Sequence, residues 1–304
     1  MVINKKRLTF IFSIFLLFSC SKSTDISQTD LFPENGVLPS SINHNGSSRN
    51  YALYIPPGYN GKDALPVVFN FHGSNDNAID HLFNTSDMRS VASLEQNPFF
   101  LVYPEAGICD GKTTWNPSAQ GGVNCLDDLD FIETLIDSLS LNFKIDESKI
   151  YACGYSEGGA MALSLGVSKS NRFAAVGSVS GTMLNFNTPL NPMPTIIVHG
   201  TDDGVFPYLG DTVNNSIQLQ LDFWVNFNNT ETVPLLSSET NNFNGITTEH
   251  YRYLQGDNNV AVEHYKIIGG LHRWRLDQAI FPAGSSADDD TGLLLWNFFE
   301  NYSK

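Results

Sequence analysis

A serine between two glycines is the first residue whose surroundings could support covalent chemistry. The segment Gly154–Gly158 reads Gly-Tyr-Ser-Glu-Gly, with Ser156 at its centre. In a sharp turn from a strand to a helix, flanking glycines avoid steric clashes and the serine hydroxyl projects above the sheet. A surface serine in a glycine-rich turn is the alternative. Because the apolar run Ile150–Cys153 precedes the motif and the small-residue helical run Gly159–Val167 follows it, we predict a nucleophilic serine.

A serine hydroxyl becomes nucleophilic when an imidazole takes its proton and a carboxylate orients that imidazole. In the hydrolases built on this turn the chain order is serine, acid, histidine, and each residue follows a strand. The predicted strand Thr195–Val198 runs into His-Gly-Thr-Asp-Asp, so Asp202 or Asp203 could supply the acid. The residues alone leave that choice open, since one of the two could instead serve the turn.

Three histidines follow these aspartates and could act as the base. His264 lies inside an alternating strand and His250 precedes one, which is typical of packing or surface residues. His272 follows the predicted strand Val262–Ile268 on a glycine-containing turn. Because this turn lies at the carboxyl end of a strand, we predict His272 as the general base.

Backbone amides could stabilise the negative charge that develops on a substrate oxygen. The amide of Glu157 begins the helix after Ser156, where the helix dipole favours negative charge. A second amide is expected from the loop after an earlier strand. We predict Ser74 for this role, because it follows the apolar strand Val67–Phe71, and we interpret His72 as a structural residue of that loop.

The elements that must position these residues alternate between short apolar strands and amphipathic helices. This order predicts an α/β fold with a mostly parallel twisted sheet and helices on both faces. Together with the elbow at Ser156 and the order serine, acid, histidine, it predicts the α/β-hydrolase fold. The Asn-rich stretch 226–244 is interpreted as a long connection within a single catalytic domain spanning 38–304. Predicted strands are 51–55, 67–71, 99–103, 150–153, 173–179, 195–198, 251–254 and 262–268, and predicted helices are 127–141, 159–167, 217–227 and 292–302.

The first residues have the pattern of an export signal. The basic stretch Lys5–Arg7 precedes the apolar stretch Leu8–Phe18, and Cys20 follows a small residue as in a bacterial lipobox. We therefore predict a signal peptide at 1–19, lipidation of Cys20, and a flexible lipid-anchored tether at 20–37. This arrangement predicts an exported lipoprotein of the bacterial cell envelope or cell surface, with membrane contact through the anchor alone.

Composition and cysteine content restrict the other partners. The formal net charge of −15 makes nucleic acid a poor partner, and we expect a monomer. Export permits disulfides, and a bridge between Cys109 and Cys125 would close a loop and add about 3 kcal/mol of stability. We favour that pairing, although sequence alone does not fix the connectivity of the three cysteines that remain besides Cys20, and we interpret Cys153 as a buried thiol.

With these positions identified, most of the chain resembles the esterase family that includes poly(3-hydroxybutyrate) depolymerases, feruloyl esterases and acetylxylan esterases. The resemblance implies that Asp203 and not Asp202 is the acid, that the substrate is a carboxylic ester, and that no cofactor is required. Glu157, Leu271 and Gly204 depart from the family's usual residues, which leaves the acyl specificity open. The motifs that carry the resemblance are Gly46–Tyr59, Leu65–Ser74, Trp115-Asn116 with Asp127–Ile132, Gly154–Met161, His199–Asp203 with Pro207-Tyr208, and Gly269–Trp274.

Two aromatic residues and two acidic clusters complete the candidate list. Trp115 and Trp274 could be walls of a substrate pocket, with core packing as the alternative. Asp127 and Asp128 are predicted to cap a helix, and the consecutive Asp288–Asp290 are interpreted as a helix start, so we predict no metal site. The rival functions are a serine peptidase of the same fold and a non-catalytic, surface-displayed polysaccharide-binding protein.

Overall fold

The computed structural model describes residues 36–109, 111–117, 125–241, 245–274 and 289–304. Within these ranges ten strands form one sheet and two further strands form a short hairpin, β5 (Ile108–Cys109) with β6 (Lys112–Thr113). The strands of the large sheet are β1 (Val37–His44), β2 (Ser47–Tyr54), β3 (Leu65–Phe71), β4 (Phe100–Pro104), β7 (Ile145–Tyr155), β8 (Ala175–Val179), β9 (Thr195–Gly200), β10 (Leu235–Thr240), β11 (Thr247–Tyr253) and β12 (Val262–Ile267).

The sheet is parallel at its centre and antiparallel at both sides. Its strand order is β1-β2-β4-β3-β7-β8-β9-β12-β11-β10. The strands from β4 through β12 in this order pair in parallel, whereas β1 and β2 on one side and β11 and β10 on the other pair antiparallel. Parallel strands end at the same edge, so the loops after β3, β7, β9 and β12 lie together.

Helices cover both faces of this sheet. They are α1 (Ala78–Asp80), α2 (Arg89–Ala92), α3 (Asp128–Asn142), α4 (Glu157–Ser168), α5 (Ile217–Phe227) and α6 (Asp289–Phe299), with a π-helical turn at His81–Thr85 and a 3-10 turn at Asp257–Asn259. The side chain of Asp127 accepts a hydrogen bond from the Asp130 amide and caps α3, and Ser216 caps α5 through the Leu219 amide. Each cap satisfies an amide that the helix itself leaves unpaired.

Two apolar layers follow from the alternation of side chains along the strands. Val67, Phe69 and Phe71 of β3 are buried against the layer that includes α3, α4 and α5. Val68 points the other way, into the layer that includes α1, α2 and α6. This three-layer arrangement confirms the predicted α/β-hydrolase fold with helices on both faces.

The structure differs from the sequence prediction at several elements. The helix at Ile217–Phe227 has the predicted bounds, but β1 and β10 were not predicted, and β10 lies within the Asn-rich stretch interpreted as a connection. Val37, assigned to the tether, already begins β1 and is buried. The predicted signal peptide 1–19, Cys20 and most of the tether 20–37 lie outside the described residues. No helix in the described ranges is both long and apolar enough to span a membrane.

One predicted capping residue has a different role. Asp128 is buried and accepts hydrogen bonds from Arg49 Nη2 at 2.5 Å and from the Asn116 amide at 2.7 Å. The Arg49 guanidinium also lies over the Phe131 ring, 3.9 Å from its centroid. The interpretation of Asp128 as a simple cap is therefore wrong, because its carboxylate joins β2 to the start of α3 in a buried ion pair.

The cysteines are paired as expected from sequence. A disulfide joins Cys109 to Cys125, with a sequence separation of 16. Cys153 is a free and buried thiol in β7, and burial raises its pKa. A thiol in this environment stays protonated and serves as a small apolar side chain.

Candidate active site

Ser156 sits in a strained turn between β7 and α4. Its φ of 57° and ψ of −121° lie outside the regions that a residue with a side chain normally occupies. The Ser156 amide donates to the Val179 carbonyl of the neighbouring strand at 3.0 Å, which fixes the turn against the sheet. The motif therefore forms the predicted strand-turn-helix elbow, with Ser156 only 7% exposed.

Close backbone contacts explain the two glycines around this serine. A Cβ placed on Gly158 would lie 2.0 Å from the Phe71 carbonyl oxygen, and one on Gly154 would lie 2.4 Å from the Gly158 carbonyl oxygen. Real Cβ atoms do not approach oxygen this closely, so neither position has room for a side chain. The start of α4 can therefore pack directly against the end of β3.

Three side chains from three strand ends form one chain of hydrogen bonds. His272 Nε2 lies 2.9 Å from Ser156 Oγ, and His272 Nδ1 lies 2.8 Å from Asp203 Oδ2. Ser156 follows β7, Asp203 follows β9 and His272 follows β12, so the parallel sheet brings together residues 116 and 69 positions apart in sequence. This geometry permits proton transfer from the serine hydroxyl to the imidazole.

The environment of Asp203 favours its charged form. Burial alone would raise the pKa of this carboxyl, but hydrogen bonds from His272 and from the amides of Phe206 and Val205 outweigh that effect and lower its pKa. The two amides donate to Oδ1 at 2.9 and 2.8 Å, which leaves Oδ2 for the imidazole. Asp202 is exposed, and its Oδ1 accepts a hydrogen bond from the neighbouring Thr201 hydroxyl. Of the two aspartates that sequence left open, Asp203 is the one that contacts His272.

Residues that sequence reasoning missed hold the histidine loop in place. The Tyr155 hydroxyl donates to the His272 carbonyl at 3.0 Å, and the Ser180 hydroxyl donates to the Arg273 carbonyl at 3.0 Å. Below Asp203, His199 Nε2 donates to the Phe206 carbonyl at 2.8 Å, and burial lowers the pKa of His199. His199 was part of a recognised motif, whereas neither Tyr155 nor Ser180 carries a sequence signal for this role.

The loop after β3 lies beside the nucleophile, as predicted. A Cβ on Gly73 would lie 3.4 Å from Ser156 Cβ, so the residue just before Ser74 is close to the serine. His72 has the predicted structural role, because its Nε2 accepts the Ala106 amide at 3.0 Å and its Nδ1 donates to the Gly73 carbonyl at 2.7 Å. Burial lowers the pKa of His72, in keeping with a neutral ring that donates at one nitrogen and accepts at the other.

The two tryptophans do not form exposed walls of a pocket. Trp115 is 5% exposed and Trp274 is 2% exposed, and each belongs to one of the two core layers. Trp115 packs edge-on against Phe71, and its Nε1 donates to the His72 carbonyl at 2.8 Å. The prediction that these tryptophans line a pocket is therefore wrong. Both rings are packed in the core, where burial of their large apolar surface stabilises the fold.

No group of three or more candidate metal ligands occurs among the residues described. Asp288 lies outside them, and α6 begins at Asp289, at the helix start interpreted from the acidic triplet. The described arrangement around Ser156 brings the side chains of Ser156, His272 and Asp203 into hydrogen-bond contact. The fold and this arrangement together define an α/β-hydrolase.

Comparison with known proteins agrees with that class. Residues 49–188 match the family model described as Esterase PHB depolymerase, just under half of the chain. The matched segment contains the β3 loop and Ser156 but ends before Asp203 and His272. Over this segment the chain is similar to that esterase family, and the structural neighbours below share its fold.

Similar sequences include several named as esterases. Probable feruloyl esterase C of Aspergillus clavatus is 30% identical over 181 residues, covering 58% of this chain and 60% of that protein. Feruloyl esterase D of Neurospora crassa is 27% identical over 172 residues, covering 54% and 56%. A bifunctional acetylxylan esterase/xylanase of Neocallimastix patriciarum is 26% identical over 164 residues, covering 54% of this chain and 22% of that protein. The chain thus spans less than two thirds of the length of these relatives.

Solved structures share the fold of this chain over most of its length. An acetyl xylan esterase from Aspergillus awamori aligns with a TM-score of 0.57 at 16% identity, covering 78% of this chain and 94% of that one. A ferulic acid esterase from Anaeromyces mucronatus, solved with ferulic acid, aligns with a TM-score of 0.55 at 14% identity, covering 88% and 89%.

Proposed function

We propose that this protein is a serine carboxylic-ester hydrolase with Ser156 as nucleophile, His272 as general base and Asp203 as orienting acid. The observation that carries the proposal is the continuous set of hydrogen bonds from Ser156 Oγ through both ring nitrogens of His272 to Asp203 Oδ2, at 2.9 and 2.8 Å. A binding protein would gain nothing from this arrangement, whereas acyl transfer depends on it.

The surroundings of Asp203 support the protonation state that the chemistry needs. Asp203 Oδ1 already accepts two backbone amides, and Oδ2 is an acceptor for His272 Nδ1. The imidazole proton is therefore held on Nδ1, and Nε2 presents a lone pair to Ser156. This tautomer is the one that can accept the serine proton.

The reaction then proceeds in two half-reactions. Ser156 Oγ attacks the ester carbonyl carbon while His272 Nε2 takes its proton, and the amides of Ser74 and Glu157 stabilise the oxyanion. The tetrahedral intermediate expels the alcohol, which leaves with the proton from His272. Water, deprotonated by His272, attacks the acyl-serine and releases the carboxylic acid and free Ser156.

We propose feruloyl or acetyl esters of polysaccharides as substrates, with hydroxyalkanoate polyesters as the other class to test. The names of similar proteins support the first two groups, and the description of the matching family model supports the third. The loops that carry Asp203 and His272 also bear exposed apolar side chains, namely Val205, Leu209 and Leu271, at 55, 86 and 54% exposure. Apolar side chains at this rim suit an aromatic or polyester chain more than a charged one.

A substrate panel tests the activity and the class together. Wild type, Ser156→Ala and the control Ser148→Ala, which lies near the other end of β7, are assayed on methyl ferulate, acetylated xylan and poly(3-hydroxybutyrate). We expect hydrolysis by wild type and the control and loss of at least about 10³-fold in Ser156→Ala, with unchanged melting temperature. Turnover by Ser156→Ala near the wild-type rate would contradict the mechanism.

We further propose that the protein is exported and anchored by lipid on Cys20, supported by the basic and apolar stretches that precede this cysteine. Mass spectrometry of the mature N-terminus in a bacterial host should show a diacylated Cys20. A mature chain that retains residues 1–19, or that begins elsewhere without lipid, would contradict this proposal.

A further inference from the structure

Three consecutive residues, beginning at the last residue of β6, each contact one of the two segments proposed to form the oxyanion hole. The Thr113 carbonyl accepts the Asn75 amide at 2.9 Å, and Trp115 Nε1 donates to the His72 carbonyl at 2.8 Å. Between them, the Thr114 hydroxyl donates to Glu157 Oε2 at 2.5 Å. We call Thr113–Trp115 the strap.

The strap holds the β3 loop on both sides of Ser74. His72 and Asn75 flank Gly73 and Ser74, and both are hydrogen-bonded to the strap through their backbones. Asn75 adopts a φ of 56°, a left-handed conformation that asparagine tolerates better than most residues. The amide of Ser74 is therefore carried on a short piece of chain whose two ends are fixed by the same segment.

The strap also holds the side chain of Glu157. This residue follows the nucleophile directly, so a mobile carboxylate there could approach the oxyanion and oppose its formation by charge repulsion. A charge-assisted hydrogen bond from a hydroxyl is among the stronger side-chain contacts and keeps the carboxylate in one place. Thr114 thus connects the β3 loop and the first residue of α4 through one short segment.

The strap is itself fixed at both ends. On its N-terminal side, β6 pairs with β5, and Cys109 of β5 is joined to Cys125 by the disulfide. On its C-terminal side, the amide of Asn116 donates to Asp128, which is buried and paired with Arg49. A segment restrained in this way can transmit its position to the groups it contacts.

We propose that Thr114 is a positioning residue for the oxyanion hole, and that the strap sets the placement of the Ser74 and Glu157 amides relative to Ser156. This inference rests on the proposed esterase function and goes further by assigning a role to residues outside the triad. Oxyanion donors act on the transition state more than on the bound ester. Loss of the strap should therefore lower kcat and leave KM nearly unchanged.

The test compares Thr114→Val with Thr114→Ser and with a matched control, Thr134→Val. Thr134 is also half-buried and its hydroxyl donates to a backbone carbonyl in α3, at Asp130. On a p-nitrophenyl ester we expect Thr114→Val to lose about 10- to 100-fold in kcat with KM within about twofold, because displacement of a catalytic group by about 1 Å has effects of this size. Thr114→Ser, which keeps the hydroxyl, and Thr134→Val should remain near wild type.

A second measurement is the inhibition constant of a boronic acid that forms a tetrahedral adduct with serine. This constant should stay unchanged if Thr114 only stabilises the fold. Under the strap proposal, it should rise in Thr114→Val by about the factor lost in kcat. If Thr114→Val fails to fold, Trp115→Phe removes the other side-chain donor, keeps a ring in place, and should show the same pattern. Equal kcat and boronate affinity in Thr114→Val and Thr134→Val would overturn the strap proposal while leaving the esterase proposal intact. An inactive wild type that does not bind the boronate would instead contradict the esterase function itself.

Discussion

Replacing Asp203 with Asn tests the proposed role of this carboxylate through hydrogen-bond geometry. Three donors surround it: His272 Nδ1 at 2.8 Å, and the Val205 and Phe206 amides at 2.8 and 2.9 Å. Asn has one carbonyl oxygen and one NH2 group, so it cannot accept from all of these donors. In the variant, the Asn oxygen can accept either from the two backbone amides or from His272, and each orientation loses at least one hydrogen bond.

If the Asn oxygen keeps the two backbone amides, its NH2 group faces His272 Nδ1. The imidazole then favours the tautomer that accepts at Nδ1 and carries its proton on Nε2, which points at Ser156 and cannot act as a base. If the amide turns the other way, its NH2 group meets the Val205 and Phe206 amides, and two buried donors lose their acceptor at about 1–3 kcal/mol each. The first arrangement should therefore dominate.

We expect Asp203→Asn to lose about 10⁴-fold in kcat, equivalent to about 5 kcal/mol of transition-state stabilisation, as wrong-tautomer variants of serine triads do. Steady-state hydrolysis of a p-nitrophenyl ester measures this, with melting temperature as the check on folding. The neighbouring Asp202→Asn is the matched control and should stay within about twofold of wild type, because its side chain is exposed. An Asp203→Asn enzyme within about tenfold of wild type would refute the reasoning.

Two further predictions concern stability. Burial lowers the pKa of His264 to about 3. The unfolded chain therefore binds one more proton than the folded protein between about pH 3 and 6.5, and the free energy of unfolding decreases as pH falls through that window. In urea unfolding, the free energy of unfolding of His264→Gln should depend on pH less steeply there, by about 1.4 kcal/mol per pH unit. An unchanged slope would contradict the assignment. Gly158→Ala should lose at least about 2 kcal/mol of unfolding free energy, because its Cβ would meet the Phe71 carbonyl, whereas Gly204→Ala, which has open space, should change by less than about 0.5 kcal/mol. Equal stability of the two glycine variants would show that the elbow tolerates a side chain.

The elements that position the site could be predicted because their signals are local. The turn at Ser156 is defined by glycines at fixed spacing, the strand before Asp203 is an apolar run, and the strand before His272 alternates between apolar and polar residues. Sequence also fixes the chain order of the three residues. Only the family resemblance distinguished Asp203 from Asp202 at the level of sequence. The two adjacent side chains face opposite sides of the turn, and no local pattern shows which of them faces His272.

The predictions that failed depend on contacts between distant residues. Strand β10 lies at the edge of the sheet with every residue exposed, so it has no apolar alternation to reveal it. Asp128 pairs with Arg49, 79 positions away, and no local pattern indicates such a partner. The burial of Trp115 and Trp274 likewise results from tertiary packing, because an aromatic residue in a loop can face either the core or a pocket.

Labelling with a fluorophosphonate most directly tests the claim that Ser156 is an activated nucleophile. The reagent should form a stoichiometric adduct that peptide mass spectrometry places on Ser156, and His272→Ala should label at least about 10²-fold more slowly, because the hydroxyl then lacks its base. A folded wild-type protein that stays unlabelled, or an adduct on a different serine, would contradict the account.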